Sequence, residues 1–149
     1  MQIALFQPDI AGNVGTILRL AACFGVPCDI IEPCGFAFSD RALRRAGMDY
    51  AEAASVTRHA DWRHYSGARA GRRLVLLSSK AERSLYDFPF DAEDQLIFGS
   101  ESAGVPDDVR GAVGEALRIP MKPGFRSLNL AVAAGIALSE ALRRSGRFR

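Results

Sequence analysis

Three stretches of this sequence bring glycines and hydrogen-bonding side chains together as a ligand-binding loop requires. They are Gly12-Asn13-Val14-Gly15, Gly99-Ser100-Glu101-Ser102-Ala103-Gly104, and the run from Met121 to Asn129. Glycine allows backbone N–H and C=O groups to come close to a ligand, so these loops suit a small, mostly neutral cofactor such as an adenosine. Helix-capping turns use the same glycines, and the loops alone do not separate the two uses. Other chemistries lack their residues. G-x-x-x-x-G-K-[ST] and G-x-G-x-x-G are absent, and with them the phosphate-cradling loop and the dinucleotide fingerprint. No G-x-S-x-G elbow and no H-E-x-x-H occurs. Cys23, Cys28 and Cys34 show no C-x-x-C spacing and read as reduced, mostly buried thiols. Together with His59 and His64 they fit no standard zinc pattern, so no metal is expected. The two histidines read as surface or helix-end residues rather than general bases.

Loops of this kind need strands and helices to hold them. Ile3 to Phe6 reads as a buried strand, and Gly12 to Gly15 as a tight loop before a helix from Thr16 to Phe24, closed by Gly25 and Pro27. Cys28 to Ile31 is a second strand, and Asp40 caps a helix that carries Arg41, Leu43, Arg44 and Arg45. A helix over 61–70, a strand over 73–79, a polar connection over 86–94 and a strand over 95–98 follow. A short helix over 107–113, a strand over 117–119 and a long helix over 128–144 complete the chain. Short apolar strands that alternate with helices predict an α/β fold, an open parallel sheet with helices on both faces. In such sheets ligands bind beyond the carboxyl ends of the strands, where all three loops fall.

The 149 residues, 48% of them hydrophobic, match a single domain over 1–149 with an ordinary core. The start, Met1-Gln2-Ile3-Ala4-Leu5-Phe6, has no basic leader, and no run approaches a membrane span, so a cytoplasmic location is expected. Net charge is only +2. Lysine occurs only at 80 and 122, so arginine dominates, clustered at Arg41, Arg44 and Arg45, at Arg69, Arg72 and Arg73, and at Arg143, Arg144, Arg147 and Arg149. Arginine suits phosphate contacts and base stacking. A solvated surface in an arginine-rich chain accounts for the same clusters.

Taken in order, the three loops resemble the signature motifs of the SPOUT superfamily, and in particular its small TrmL/YibK-like cytidine/uridine tRNA 2′-O-methyltransferases. The first motif runs from Gln7-Pro8-Asp9 through Asn13 to Arg19-Leu20. The second is Leu96-Ile97-Phe98-Gly99-Ser100-Glu101-Ser102-Ala103-Gly104-Val105-Pro106. The third is Ile119-Pro120-Met121 with Arg126-Ser127-Leu128-Asn129-Leu130-Ala131-Val132-Ala133. Ile31-Glu32-Pro33-Cys34-Gly35-Phe36-Ala37 and Arg44-Arg45-Ala46-Gly47-Met48-Asp49-Tyr50 are similar to that subgroup specifically, so the similarity covers almost the whole chain.

The resemblance implies a C-terminal trefoil knot, which general rules of connectivity would reject. It implies S-adenosyl-L-methionine as cofactor, with contacts on Leu77, Gly99, Glu101, Ile119 and Ser127. It makes Arg19 the favoured catalytic residue with Asn13 beside it, and puts substrate RNA on Arg19, Arg126 and Asn129. Glu101 is expected to tie the second loop to the first. The implied reaction is 2′-O-methylation of the wobble nucleotide of tRNA. Another tRNA or rRNA site, a catalytically silent RNA-binding protein of this fold, and an enzyme for another nucleotide are the alternatives. The chain departs from many relatives at Ser139, where they carry a tyrosine thought to touch RNA. A homodimer is also implied, and the small and apolar faces of the first and last helices (Leu18, Ala21 and Ala22; Ala133, Ala137 and Ala141) are expected to pack between protomers.

Overall fold

The continuous apolar runs become the inner strands of one parallel sheet. The computed structural model describes residues 1–37, 39, 41 and 54–148. Within them lie strands β1 (Gln2–Phe6), β2 (Cys28–Ile31), β3 (Val56–His59), β4 (Leu74–Leu77), β5 (Arg83–Ser84), β6 (Gln95–Phe98) and β7 (Glu115–Arg118). The helices are α1 (Ala11–Phe24), α2 (Trp62–Ala68), α3 (Asp107–Ala112) and α4 (Leu130–Arg144). Strand order is β3-β2-β1-β6-β4-β7-β5, with every pairing parallel. The helix expected after Asp40 lies, apart from Arg41, outside the described residues.

Alternation along the strands divides the interior into two cores. Ile3, Leu5, Ile30, Leu96 and Phe98 belong with Val14 and Ile17 of α1 and with Ala134 and Leu138 of α4. Ala4, Phe6, Ile31 and Ile97 face the other way, toward Tyr65 of α2 and Val109 of α3. Helices on both faces are therefore what the sheet demands, since a bare apolar face would forfeit about 1.5–3 kcal/mol per large side chain.

Several expectations change. Leu18, Ala21, Ala137 and Ala141 are buried inside this chain, where α1 packs against α4, so these residues build the protomer's own core. β3 and β5 escape the sequence reading because an edge strand can be short and polar: Thr57 and Arg58 are exposed, and β5 has two residues. The connection read as polar buries Phe88 and Phe90 against the first core, beside Leu85. His59 is buried rather than superficial, its Nε2 3.1 Å from Asp29 Oδ1, while His64 is exposed near the start of α2. Of the thiols, Cys28 is buried and Cys34 half-buried, but Cys23 is exposed.

Asp29 is a fully buried charge on β2. Arg69, just past α2, grips it with Nε and Nη2, each at 2.9 Å, and Gln2 Nε2 of β1 donates at 2.7 Å. Paired in this way, a carboxylate is tolerated away from water.

Candidate active site

Neighbouring strands β1, β6, β4 and β7 send their carboxyl ends to one edge of the sheet, and the segments that leave them enclose a cleft of about 710 Å³. That volume lies within the range of roughly 300–1,000 Å³ typical of small-molecule sites. Leu77, Ile119, Met121 and Leu128 give the cleft apolar wall, while Ser78, Ser100 and Glu101 give it polar wall.

The loop after β6 doubles back tightly. Ser100 and Gly104 exchange backbone hydrogen bonds at 3.0 and 2.9 Å, and Gly104 sits at φ 69°. A Cβ on Gly99 would stand 2.5 Å from the Gly104 carbonyl carbon, so only glycine permits this crossing. The fold of the loop aims Glu101 at the first loop. The Glu101 carboxylate accepts hydrogen bonds from the backbone N–H groups of Asp9 (2.7 Å) and Ile10 (3.3 Å) and from Asn13 Nδ2 (3.0 Å).

These contacts explain why Gly12 to Gly15 is not the tight loop expected from sequence. The segment forms the first turns of α1, which begins at Ala11. Gly12 and Gly15 are poor helix formers. Ile10 offers no side-chain cap, and the first turn holds no acid. Glu101, 91 residues away, supplies the missing acceptor and negative charge at the helix start.

Asn13 is buried and uses both ends of its amide: Nδ2 donates to Glu101, and Oδ1 accepts from Asn129 Nδ2 at 2.9 Å. Asn129 in turn caps α4, its Oδ1 accepting from the N–H groups of Ala131 (2.9 Å) and Val132 (3.3 Å). A second clasp runs from Asp9 Oδ2 to Ser102, which donates its hydroxyl at 2.6 Å and its backbone N–H at 2.9 Å. The Ser102 hydroxyl first, and then its N–H, holds the Asp9 carboxyl below the ordinary carboxylate range. Three loops far apart in sequence thus form one hydrogen-bonded unit.

Leu77, Gly99, Glu101, Ile119 and Ser127 all line the cleft, as do Asn13, Arg126 and Asn129. Arg19 does not; it is exposed on α1. Six residues separate it from Asn13, which places it about 240° around an ideal helix from that side chain. Sequence reasoning missed Arg110 of α3, a half-buried cleft residue whose Nη2 donates to Ser78 Oγ at 3.2 Å. It also missed the Asp9–Ser102 clasp, although Asp9 and Ser102 each lie inside a quoted motif. Among the described residues, no group of three or more His, Cys, Asp or Glu side chains is placed to hold a metal, and no helix is long and apolar enough to cross a membrane.

Known proteins share this fold. A protein of Beijerinckia indica named tRNA (cytidine(34)-2′-O)-methyltransferase is 51% identical over 146 residues, covering 97% of this chain and 91% of that one. A solved structure described as giving insight into 2-OH methylation of C/U34 on tRNA superposes with a TM-score of 0.92 at 39% identity, covering 98% of this chain and 96% of that chain. An AdoMet-bound rRNA methyltransferase from Sinorhizobium meliloti superposes with a TM-score of 0.84 at 29% identity, covering 95% of this chain and 55% of that one. The SpoU rRNA Methylase family matches residues 1–139, which take in all three clasped loops, and the chain belongs to that family.

Proposed function

We infer that this chain is an S-adenosyl-L-methionine-dependent methyltransferase that 2′-O-methylates the ribose of the cytidine or uridine at position 34 of tRNA. The observation that carries the reading is the Glu101–Asn13–Asn129 relay, which locks three loops into one cleft at the carboxyl ends of adjacent strands. The names of the similar proteins support the substrate and the reaction.

The cleft fits the cofactor. Apolar walls at Leu77 and Ile119 suit an adenosine, and Glu101, which pairs with no cation among the described residues, suits a positively charged ligand more than a polyphosphate. When bound, the cofactor supplies a methyl group made electrophilic by its sulfonium. Leu77, Gly99, Glu101, Ile119 and Ser127 would hold it.

The reaction to be served is an in-line displacement. With the cofactor held there, the ribose 2′-oxygen would receive the methyl group as the sulfonium leaves as a neutral thioether, and the 2′-hydroxyl would give up its proton. Asn13 keeps the first loop in place. Arg126 and Asn129, on the third loop, position the nucleotide. Arg19 stands on the solvent side of α1, where it meets RNA rather than cofactor. A guanidinium offers donors and no acceptor, so it acts by stabilising negative charge on the RNA phosphate, not as a base.

Family membership also implies the C-terminal trefoil knot. A single domain over 1–149 carries the activity, in the cytoplasm with its tRNA substrate and as a homodimer. Leu18, Ala21, Ala137 and Ala141 are spent within the protomer, which leaves the half-buried Ala22 and Ala133 of these faces for a contact between copies. The test is a map of 2′-O-methylation in total tRNA from a strain lacking this gene. Loss of the mark at position 34 alone is expected, and an intact mark there refutes the assignment.

A further inference from the structure

The third loop carries a residue that the cofactor cleft does not use. Phe125 is 71% exposed, the highest value among the exposed large hydrophobic side chains described. It follows Pro123 and Gly124, and Gly124 adopts φ 95°, a conformation that a side chain would strain. The turn lifts the ring away from both cores. Phe125 nevertheless stays at the cleft, because Met121 before it and Arg126 after it both line the wall.

Several cations elsewhere are compensated, although among the described residues Arg63, Arg118 and Arg147 are not, so it is the ring together with its cations that sets this loop apart. Arg69, Arg73, Arg83 and Arg143 each meet a carboxylate. Lys80, Lys122 and Arg126, on or beside the cleft wall, are exposed and have no carboxylate within ion-pairing distance among the described residues. A solvent-facing aromatic ring flanked by uncompensated cations is the chemistry that grips single-stranded nucleic acid: cations meet phosphates, and the ring face takes a base. An apolar partner surface would leave those cations unmatched.

We propose that Phe125 is a stacking platform for the nucleobase next to the target ribose, with Lys122 and Arg126 on the adjoining phosphates. The inference rests on the tRNA reading above and names how an unstacked loop nucleotide is presented to the cleft. Phe125 is a positioning residue, since it touches neither cofactor nor the reacting atoms.

The test uses the full chain and anticodon stem-loops with an unmodified target ribose, carrying 2-aminopurine either 5′ or 3′ of the target. The wild-type chain and Phe125→Trp should quench one of the two probes, while Phe125→Ala and Phe125→Leu should quench neither. In Phe125→Ala the KM for the stem-loop should rise by about tenfold or more, as loss of one base–aromatic stack implies, with S-adenosylhomocysteine affinity and thermal midpoint unchanged. Equal quenching and equal KM in wild type and Phe125→Ala overturn the proposal. So does a Phe125→Ala protein that sediments as a smaller species than wild type, because the ring then packs against a second copy. A wild-type chain that neither binds nor methylates the stem-loop overturns the functional reading as well. Normal wild-type transfer with an unaltered Phe125→Ala removes this inference alone.

Discussion

Two carboxylates organise this molecule, and they are satisfied in opposite ways. Asp29 is fully buried and held by side chains, the two-pronged guanidinium of Arg69 and the amide of Gln2, with His59 Nε2 lying 3.1 Å away. Glu101 is only half-buried and is held by neutral donors at the start of α1, namely the backbone N–H groups of Asp9 and Ile10 and the amide of Asn13. One clasp matches charge with charge and fixes β1 and β2 to the end of α2. The other fixes loops to each other and leaves its charge facing the cleft. A compensated carboxylate makes a fold, and an uncompensated one, well supplied with hydrogen bonds, keeps electrostatic work available for a ligand.

Breaking the first clasp should have the largest effect. Asp29→Ala leaves Arg69 and Gln2 without their acceptor, and removal of one partner from a buried pair costs about 3–5 kcal/mol. Urea unfolding should show that loss, while the folded fraction keeps its cofactor affinity. A cost under about 1 kcal/mol, the range of exposed pairs, would make the two clasps alike. Glu101→Gln should do the reverse. Unfolding free energy should fall by only about 1 kcal/mol, the usual worth of a hydrogen bond, whereas methyl transfer should drop on the order of a hundredfold. A large stability loss with normal turnover would place Glu101 in the fold rather than the site.

Arg19 belongs to neither clasp and sharpens the comparison. Arg19→Ala should also lower transfer on the order of a hundredfold, with stability and cofactor affinity unmoved, and Arg19→Lys should restore little because a point charge lacks the guanidinium fork. Unchanged turnover would remove Arg19 from the mechanism.

The smallest effect concerns pH. Ser102 favours the charged form of Asp9, so this clasp is fully present above the ordinary carboxylate value of 3.8 and is lost as pH falls through the depressed folded value. Ser102→Ala should move the Asp9 titration, followed by carbon-13 NMR, upward toward 3.8. An unmoved titration would mean that the serine is a bystander.

The comparison also accounts for what the sequence disclosed. β1, β4 and β6 were legible because parallel inner strands are unbroken apolar runs. The start of α1 was not legible, since its acceptor, Glu101, arrives from the far half of the chain. His59 was read as superficial for the same reason: Asp29, the group beside which it is buried, is 30 residues earlier on another strand. Phe88 and Phe90 lay hidden among Asp87, Pro89 and Asp91, whose polarity masked two rings that pack edge-to-face at 4.9 Å. The cleft residues Gly99, Ile119 and Ser127 were found by motif order, not by local chemistry, and Arg110, outside every motif, was not found at all.

The most direct test of the account is tritium transfer from labelled S-adenosylmethionine into paired anticodon stem-loops that differ only at the ribose of position 34, one with a 2′-hydroxyl and one 2′-deoxy. The account predicts label in the first and none in the second. Equal labelling of both, or of neither while the cofactor binds, would contradict it.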